Sequence, residues 1–575
     1  MSKCYDDFTK EELIKLLHKQ DEELAIKKYG LTWDSEKEPE QVVLDCENNL
    51  PILKRIADKE IKTDNSDYNI LIEGDNYHAL TVLNYTHKEK IDVIYIDPPY
   101  NTGNKDFKYN DCYVDKEDGY RHSKWLNFME KRLKLAHNLL KDEGVIFISI
   151  DDNEQANLKL LCDKIFNENN MITNIVWNSK TGSSDATTID TVTEYILVYA
   201  KNKNLVKFNK DNFAFKKERF KYSDKYENER GLFYPDNLDR GGLRYSNSLN
   251  YGIKCPDGTV SFPNGRKNFV NEGWTWKWSK EKVEWGIKND FILFKKSKNK
   301  ECGWGVYYKN YLYVDNEGNK LERGTPYKNI ILDVKTGDGA KVIKDMFGQH
   351  IFKYSKPVEL LKMLISMCDI PKDAIILDFM AGSGTTAQMI AEFNNSDINN
   401  KKNLKYILCT NNENKICTDV CYPRISNVIN GYTQKGNGKF IEGLGGNLQY
   451  YKTDLIPVQR INKINDSQRE ELTLKAGEMI AIKENCFNQV ELNDYYQIFE
   501  NNTSTKRVAI YFREDISEFD ELVNKLGNTQ TTLYIFSYGR IDKKTYSYLN
   551  DNISIEDVPE PILEIYKEIN LTLKD

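Results

Sequence analysis

The sequence predicts an α/β fold in which a parallel sheet is covered by helices on both faces. From Tyr68 onward, short apolar runs of strand length alternate with segments of helical periodicity, the pattern of parallel strands joined by helices. Two of these runs end in loops rich in proline or glycine, where α/β sheets commonly bind ligands. The predicted strands are Ile70–Ile72, Val93–Ile96, Val145–Ile150, Ile196–Tyr199, Ile375–Leu377 and Tyr406–Leu408.

Length and composition predict a soluble protein of several domains. The chain has 575 residues, of which 40% are hydrophobic and 29% charged. It has no run near the roughly 18 apolar residues of a membrane span, and its first residues lack the apolar centre of a signal peptide, so a cytoplasmic location is expected. The 11 cysteines are scattered, and only Cys417 and Cys421 lie close together. No metal site is therefore expected.

Changes in sequence pattern divide the chain into five regions. The α/β pattern is interrupted by a segment that carries Trp274, Trp276, Trp278 and Trp285 among Lys and Arg residues, so a domain is inserted within a domain. The predicted regions are an N-terminal helical arm at 1–66, two halves of the α/β domain at 67–201 and 346–453, the inserted domain at 202–345, and a small C-terminal α/β domain at 454–575.

Individual elements support this division. Thr9 would cap an amphipathic helix over residues 9–28. A second amphipathic helix, Ser123–Leu140, would cover one face of the sheet. In the C-terminal region, strands are predicted at Val508–Phe512 and Thr532–Ser537.

The net charge of the chain and the local charge of one segment give opposite indications about a nucleic-acid partner. The formal charge is −7, from 81 Lys and Arg against 88 Asp and Glu, which argues against a nucleic-acid partner. The segment Lys201–Lys221 is strongly basic, however, and it is interleaved with aromatic side chains, a mixture that suits phosphate contacts and base stacking. These aromatic residues are Phe208, Phe213, Phe215 and Phe220. A solvated charged loop is the alternative interpretation, and this segment alone does not decide between the two.

The segment Asp92–Gly103 (DVIYIDPPYNTG) is the first with specific chemistry. Its apolar strand ends in Asp97, Pro98, Pro99 and Tyr100. The two prolines fix φ and lack N–H donors, so the backbone at the end of the strand is stiff and presents carbonyl acceptors. Asp97 adds a carboxylate acceptor and Tyr100 adds an aromatic face.

These groups suit the activation of an amine on a heteroaromatic ring. Such an amine is a poor nucleophile because its lone pair is delocalised into the ring. If Asp97 and the Pro98 carbonyl each accept one N–H group, the nitrogen becomes more tetrahedral and its lone pair can attack a sulfonium methyl in line. Tyr100 would stack on a base rotated out of a duplex. The alternative interpretation is a rigid turn with a capping Asp.

A second segment, Ala374–Thr386 (AIILDFMAGSGTT), predicts a ligand-binding turn between a strand and a helix. Its glycines permit a tight turn and close approach of the backbone to a ligand. The spacing leaves a nucleotide-binding interpretation open, because Ala387 stands where a third glycine would complete GxGxxG. After the next strand, Lys405–Cys409, Glu413 would hold a ribose, with a helix-capping acid as the alternative. The residues of interest in the turn are Asp378, Phe379, Gly382, Gly384 and Thr385.

Together these segments resemble the amino-methyltransferases of DNA with the β-type motif order, in which a catalytic DPPY segment precedes an FxGxG cofactor segment. The resemblance extends over nearly the whole chain and is strongest to the modification subunits of type III restriction-modification systems. Further similar segments are Lys28–Trp33, Leu71–Asn76, Thr193–Lys201, Ser355–Leu360, Thr410–Asn414 with Tyr422–Ile425, and Gly445–Thr453.

The resemblance implies a Rossmann-like methyltransferase sheet and a role for each matched residue. Asp97, Pro98, Pro99 and Tyr100 would form the catalytic segment. Residues 202–345 would form the target-recognition domain. The implied contacts to the cofactor, S-adenosylmethionine, are Asp75, Lys356, Asp378, Phe379, Gly382, Gly384, Thr385 and Glu413.

The implied activity is methyl transfer from S-adenosylmethionine to adenine N6 in a specific sequence of double-stranded DNA, without a metal. The expected partners are this DNA, a second copy of the chain in a homodimer, and a restriction subunit. Residues 454–575 would supply the interaction surface for the second copy or for the restriction subunit, and the alternative is a domain that only supports the catalytic sheet. N4-cytosine methylation stays open because the DPPY chemistry does not distinguish the two amines, and so does a solitary enzyme without a nuclease partner.

Two other classes of function fit less well. A DNA-binding module without activity is opposed by the intact Asp97, Tyr100, Gly382 and Gly384. Methylation of RNA or of protein amides uses similar Pro-Pro-Tyr turns, but it does not need so large an insert.

Overall fold

The chain forms two compact units in a computed structural model. One unit comprises Met1–Phe208 with Lys328–Asp575, and the other comprises Asn209–Tyr327. The described residues are 9–10, 13–15, 17–18, 40–182, 189–211, 217–242, 245–321, 324–396, 402–458, 460–461 and 463–573. Most of the helix predicted over 9–28, and the segment Lys28–Trp33, lie outside them. Within these ranges, no helix has the length and apolar character needed to span a membrane.

A ten-stranded mixed sheet forms the centre of the larger unit. Its strands in chain order are β1 (Asn49–Arg55), β2 (Tyr68–Glu73), β3 (Ile91–Ile96), β4 (Leu140–Ile150), β5 (Met171–Asn178), β6 (Thr193–Ala200), β7 (Ile330–Ile331), β8 (Ile375–Asp378), β9 (Lys405–Thr410) and β10 (Asn447–Pro457). Their order in the sheet is β1-β10-β2-β9-β8-β3-β4-β6-β5-β7. The six strands from β10 to β4 in this order run parallel.

All six predicted strands are present, but the prediction of a parallel sheet is wrong at its edges. Strand β6 runs antiparallel to both β4 and β5, and β1 runs antiparallel to β10. The reason at β6 is the connection: β5 and β6 are sheet neighbours joined by residues 179–192, whose described part contains no helix. Consecutive strands that are also sheet neighbours commonly pair antiparallel, because a parallel pair needs a long crossover connection.

Amphipathic helices pack against this sheet. The helix predicted at Ser123–Leu140 is present but begins at Arg121 and ends at Leu139, and Leu140 already belongs to β4. Its predicted apolar positions Leu126, Met129 and Leu133 are buried. The helices of this part of the chain are Gln41–Asp45, Asn76–Thr86, Arg121–Leu139, Gln155–Cys162, Thr336–Phe347, Val358–Met367, Thr385–Asn395 and Tyr422–Asn430.

Residues beyond β10 add a five-stranded sheet to the larger unit. The two predicted strands are confirmed, each shifted by one or two residues. The strands are Asn488–Leu492, Tyr496–Glu500, Lys506–Tyr511, Gln530–Phe536 and Ile553–Val558, and the helices are Asp466–Lys475, Gly477–Glu484, Phe519–Leu526 and Glu560–Leu573.

This C-terminal region is not a separate compact unit. The boundary predicted at Asp454 falls inside β10. Ile480 and Tyr566 of the C-terminal helices lie in the same apolar cluster as Leu80 of the helix Asn76–Thr86. The Tyr566 hydroxyl also donates a hydrogen bond of 2.6 Å to the Pro51 carbonyl in β1. The C-terminal helices therefore complete the core of the ten-stranded sheet.

The smaller unit, Asn209–Tyr327, lies within the region predicted as an inserted domain. Trp276 and Trp278 are buried in its core. Phe220 is buried and packs edge-on against Tyr234, with 5.0 Å between ring centroids, so it cannot serve in base stacking. Phe208 is 39% exposed, whereas Phe213 and Phe215 lie outside the described residues. The main sheet of this unit has the order Phe233–Asn237, Trp304–Tyr311, Ile292–Lys296, and its helices are Glu227–Arg230 and Lys280–Lys288.

Candidate active site

Two loops leave the sheet from neighbouring parallel strands. Strand β3 ends at Ile96 and leads directly into Asp97–Tyr100. Strand β8 ends at Asp378 and leads into the glycine turn before the helix Thr385–Asn395. Because β3 and β8 are paired and parallel, both loops lie at the same carboxyl edge of the sheet.

The Lys356 ammonium lies against the Asp97 carboxylate. Nζ lies 2.7 Å from Oδ1 and donates a hydrogen bond of 2.9 Å to Oδ2. The Asp97 side chain is 25% exposed, but its Oδ1 atom is buried and accepts no well-formed hydrogen bond from a described residue. Lys356 Nζ also lies 4.8 Å from the centre of the Tyr100 ring. Lys356, which the resemblance implies on the cofactor side, thus contacts the catalytic segment.

Glu194 is a third charged member of this cluster. It lies on β6, is 6% exposed, and accepts a hydrogen bond of 2.9 Å from the Tyr100 hydroxyl. Its Oε2 lies 3.6 Å from Lys356 Nζ. Sequence reasoning missed this residue, although a signal was present: Glu194 is the only charged residue in the strand TEYILVYA. A carboxylate in a buried strand requires a partner.

Burial and the two carboxylates set the protonation of the cluster. Burial raises the pKa of the Asp97 carboxyl above its usual range, while Lys356 opposes that rise. Burial also disfavours the Lys356 ammonium, but Asp97 and Glu194 outweigh it and raise the pKa of Lys356. Burial, reinforced by both carboxylates, raises the pKa of Tyr100 well above its usual value. Lys356 therefore stays charged and Tyr100 stays a hydrogen-bond donor.

The two proline carbonyls differ in their partners. The buried indole of Trp125 donates a hydrogen bond of 2.7 Å to the Pro99 carbonyl, which fixes the loop to the helix Arg121–Leu139. No described residue donates a hydrogen bond to the Pro98 carbonyl. Asp97 Oδ1, which the Lys356 ammonium approaches to 2.7 Å, and the Pro98 carbonyl are thus two neighbouring acceptors that receive no well-formed hydrogen bond from the described residues.

The glycine turn depends on glycine at two positions. Gly382 and Gly384 have φ values of +48° and +75°, in the left-handed region. A Cβ on Gly384 would lie 3.1 Å from the Cys421 sulfur, and one on Gly382 would lie 3.3 Å from the Phe352 ring. No side chain caps the following helix, Thr385–Asn395, so its first N–H groups are available to an acceptor.

Two other residues of the turn hold its shape. Phe379 is completely buried in the core. Asp378 accepts hydrogen bonds from the Thr386 hydroxyl at 2.6 Å and from the Met380 amide at 3.1 Å. Burial raises the pKa of Asp378 to about 7. Both side chains are engaged with the protein itself.

Arg424 ties the glycine turn to the segment that carries Lys356. It is completely buried in the helix Tyr422–Asn430, and sequence reasoning assigned it no role. Because Ser355 directly precedes Lys356, the contacts of this guanidinium couple the two halves of the site. Its donors reach Ser355 Oγ at 3.1 Å, Ser383 Oγ at 3.0 Å, Thr385 Oγ1 at 2.9 Å and Gln388 Oε1 at 2.9 Å.

The last two residues implied for the cofactor lie at neighbouring strand ends. Asp75 follows β2, accepts a hydrogen bond of 2.7 Å from the Tyr77 amide, and lies 3.3 Å from the buried Arg132 guanidinium. Glu413 follows β9, and its Oε1 lies 2.5 Å from Lys108 Nζ. Because β2, β9, β8 and β3 are consecutive parallel strands, the fold brings Asp75, Glu413, the glycine turn and Asp97 to one edge of the sheet.

An Asp-Pro-Pro-Tyr loop beside a glycine turn, at one edge of an α/β sheet, matches the pattern of methyltransferases that act on amines. The chain belongs to the DNA methylase family, whose model matches residues 91–420. That match includes both loops and the whole smaller unit.

Named relatives extend the similarity beyond the family model. The Mod subunit of the type III restriction-modification enzyme StyLTI of Salmonella typhimurium is 32% identical, over 67% of this chain and 57% of that protein. The EcoPI Mod subunit of Escherichia phage P1 is 32% identical, over 68% and 66%. The type II methyltransferase M.KpnI of Klebsiella pneumoniae is 35% identical, over 58% and 78%. The chain thus spans less than two thirds of the two Mod subunits it matches.

Proposed function

We propose that this chain transfers a methyl group from S-adenosylmethionine to the N6 amine of adenine in double-stranded DNA. The observation that carries the proposal is a pair of neighbouring acceptors: Asp97 Oδ1, which is paired with the Lys356 ammonium but accepts no well-formed hydrogen bond, and the Pro98 carbonyl, to which no described residue donates. Buried acceptors that lack well-formed hydrogen bonds are unfavourable, so the loop suits a ligand that brings N–H groups. An exocyclic amine brings two of them on one nitrogen.

The glycine turn fits S-adenosylmethionine, which supplies the electrophilic methyl group of a sulfonium when bound. Gly382 and Gly384 allow the backbone to approach a ligand closely, and the uncapped helix after them offers N–H donors. Glu413 would accept hydrogen bonds from the ribose hydroxyls, and Asp75 lies at the end of the adjacent strand β2. Each of these groups faces the same edge of the sheet as Asp97.

The residues around Asp97 would then activate the target amine. Asp97 Oδ1 and the Pro98 carbonyl each accept one N–H group, which turns the nitrogen lone pair toward the methyl group. Tyr100 stacks on the base and is held by its hydrogen bond to Glu194. Lys356 keeps Asp97 ionised, and after transfer Asp97 Oδ1 takes the proton that the amine loses.

The charge of the smaller unit supports DNA recognition. Residues 209–327 contain 23 Lys and Arg against 16 Asp and Glu, a net charge of +7, although the whole chain carries −7. Positive charge concentrated in one unit suits contacts with phosphates. We assign the target-recognition role to residues 202–345, and exchanging 209–327 for the corresponding unit of a related enzyme should transfer the methylated sequence.

The relatives support a role as the modification subunit of a type III restriction-modification system. In that role the chain would act as a homodimer and with a restriction subunit. The similarity to M.KpnI favours a second candidate, a methyltransferase that acts without such a subunit. Co-purification with the product of a neighbouring restriction gene separates the two.

Single-molecule sequencing of DNA from cells that express the chain tests the activity. We expect N6-methyladenine in one sequence motif, and none in cells that express Asp97→Ala at the same level. N4-methylcytosine, identified by nucleoside analysis, would overturn the choice of base. DNA without any modified motif would overturn the activity.

A further inference from the structure

A third loop reaches the same edge of the sheet as the catalytic segment. Strand β4 pairs in parallel with β3 and ends at Ile150, and Glu154 lies in the loop that follows it. The Glu154 side chain is completely buried. A buried carboxylate is unfavourable unless hydrogen-bond donors surround it, so the contacts of Glu154 indicate its role.

Three donors converge on the Glu154 carboxylate. Oε1 accepts hydrogen bonds from Asn101 Nδ2 at 2.5 Å and from His122 Nδ1 at 2.6 Å, and Oε2 accepts one from Asn157 Nδ2 at 2.7 Å. The donor at His122 is Nδ1, because Nε2 accepts a hydrogen bond of 3.1 Å from Arg121 Nε. An amide side chain accepts at only one of its two ends, so a carboxylate is required to satisfy all three donors.

Asn101 connects this cluster to the catalytic segment. It directly follows Tyr100, is completely buried, and has a φ of +57°, in the left-handed region. Its Nδ2 donates to Glu154 and, at 3.2 Å, to the Arg121 carbonyl. Its Oδ1 has no hydrogen-bond partner among the described residues. The side chain of Asn101 is therefore held through its NH2 group alone.

The backbone on both sides of Tyr100 is thus fixed by buried side chains. On one side, the Trp125 indole donates to the Pro99 carbonyl at 2.7 Å. On the other side, Glu154 holds Asn101. The direction of an aromatic ring follows from the backbone that carries it, and a stacking partner must be held in a set orientation before the ligand arrives.

We propose that Glu154 is a positioning residue for Tyr100, an inference that rests on the proposed function. Through Asn101 it fixes the backbone that follows Tyr100, and with it the orientation of the ring that receives the target base. The hydrogen-bond partners of Glu154 among the described residues include none of those implied for S-adenosylmethionine. Its effect is therefore on the target base and not on the cofactor.

Single-turnover rates at saturating S-adenosylmethionine test this role, with DNA that carries the methylated motif. Glu154→Gln keeps the volume of the side chain but turns an NH2 group toward a donor. We expect methyl transfer about tenfold slower, the scale of one hydrogen bond to a charged group, and an unchanged dissociation constant for S-adenosylmethionine. Glu130→Gln is the matched control and should keep the wild-type rate, because Glu130 is a buried glutamate paired with Lys134 and Lys164.

A double-mutant cycle with Tyr100→Ala separates positioning from general support of the fold. If Glu154 acts through the Tyr100 ring, Glu154→Gln should slow methyl transfer when Tyr100 is present and cause no further loss when it is absent. A residue that only supports the fold would lower the rate by the same factor in both backgrounds.

Asn101→Gly tests the same contact if Glu154→Gln does not fold. Glycine adopts a φ of +57° without strain, and the substitution removes the amide that Glu154 holds. We expect a similar loss of rate, again only when Tyr100 is present.

The contrary outcomes are distinct. Equal factors in the two backgrounds would overturn the positioning role, and so would a wild-type rate in a folded Glu154→Gln or Asn101→Gly chain. A wild-type chain that transfers no methyl group would refute the proposed function, and the positioning role with it.

Discussion

The Lys356 ammonium lies 2.7 Å from one carboxylate oxygen of Asp97 and 2.9 Å from the other. The two residues are 259 positions apart in the chain. Asp97 precedes the smaller unit in the sequence, and Lys356 follows it. Burial raises the pKa of Asp97 and so disfavours its charged form, whereas the Lys356 ammonium lowers this pKa and favours the charged form. The acceptor strength of the DPPY loop is therefore set by a residue outside that loop.

Replacing Asp97 by alanine should abolish methyl transfer and leave the affinity for S-adenosylmethionine nearly unchanged. The carboxylate contacts the target amine in the proposed mechanism, whereas the glycine turn holds the cofactor. Removing one group that stabilises charge in a transition state lowers turnover by about a hundredfold to a thousandfold in other enzymes, and we expect a loss at least as large here. Single-turnover rates and calorimetry measure the two effects separately. Loss of cofactor binding in Asp97→Ala would show that this loop belongs to the cofactor-binding half of the site and not to the half that binds the target amine.

Replacing Lys356 by methionine should move the pH dependence of turnover to higher pH. Turnover requires ionised Asp97, so the rate rises as pH passes through its pKa. Burial already raises that pKa, and Lys356 opposes the rise. Without Lys356 the acidic limb should shift upward by about one pH unit or more.

Single-turnover rates across pH at saturating cofactor check this shift. Lys362→Met is the matched control, because Lys362 pairs with Glu359 and Glu392 instead of Asp97. An acidic limb at the wild-type position in Lys356→Met would mean that Lys356 does not set the ionisation of Asp97.

Replacing Glu194 by glutamine should lower turnover with little effect on cofactor affinity. Glu194 shares the Lys356 ammonium with Asp97, so its loss leaves Lys356 wholly on Asp97, in competition with the target amine. We expect about a tenfold loss, the scale of a charge-assisted hydrogen bond. Turnover and the dissociation constant for S-adenosylmethionine provide the comparison. Wild-type turnover in Glu194→Gln would make this carboxylate a structural partner of Tyr100 only.

The sequence predicts those parts of the site that depend on neighbouring residues. Asp97 to Tyr100, and the turn from Asp378 to Thr385, are continuous segments at strand ends, so their pattern alone locates them. Glu194 and Arg424 act through partners 94 and 69 positions away, Tyr100 and Ser355. A strand glutamate and a helix arginine reveal their partners only when the sheet is folded.

The same distinction applies to the fold. The apolar runs locate six strands, but their periodicity does not give the direction in which β6 enters the sheet. The alternation of strand-like and helical patterns after β10 predicts an α/β region. It does not show that the Tyr566 side chain reaches Pro51, which lies 515 positions earlier in the chain. Long-range packing determines both outcomes.

Replacing Gly384 by alanine should weaken S-adenosylmethionine binding and destabilise the turn. Its φ of +75° and the Cys421 sulfur 3.1 Å from the added Cβ both oppose a side chain, with about 1 to 2 kcal/mol of strain from the backbone. Gly438→Ala is the control, since Gly438 has a φ of +68° with no atom near its Cβ. Calorimetry and thermal melting should show lost stability in both variants and lost affinity only in Gly384→Ala. Normal affinity in a folded Gly384→Ala protein would exclude the turn from the cofactor site.

Deleting residues 454–575 should leave a chain that aggregates, because the deletion removes the end of β10 and exposes the apolar cluster around Leu80. Tyr566→Phe is a milder test of the same contact: losing the hydrogen bond to the Pro51 carbonyl should cost about 1 kcal/mol in the free energy of unfolding, measured with urea. If residues 1–453 instead form a folded chain that binds S-adenosylmethionine, the C-terminal region is independent of the catalytic core. The region would then be free to serve only as the interaction surface for a restriction subunit.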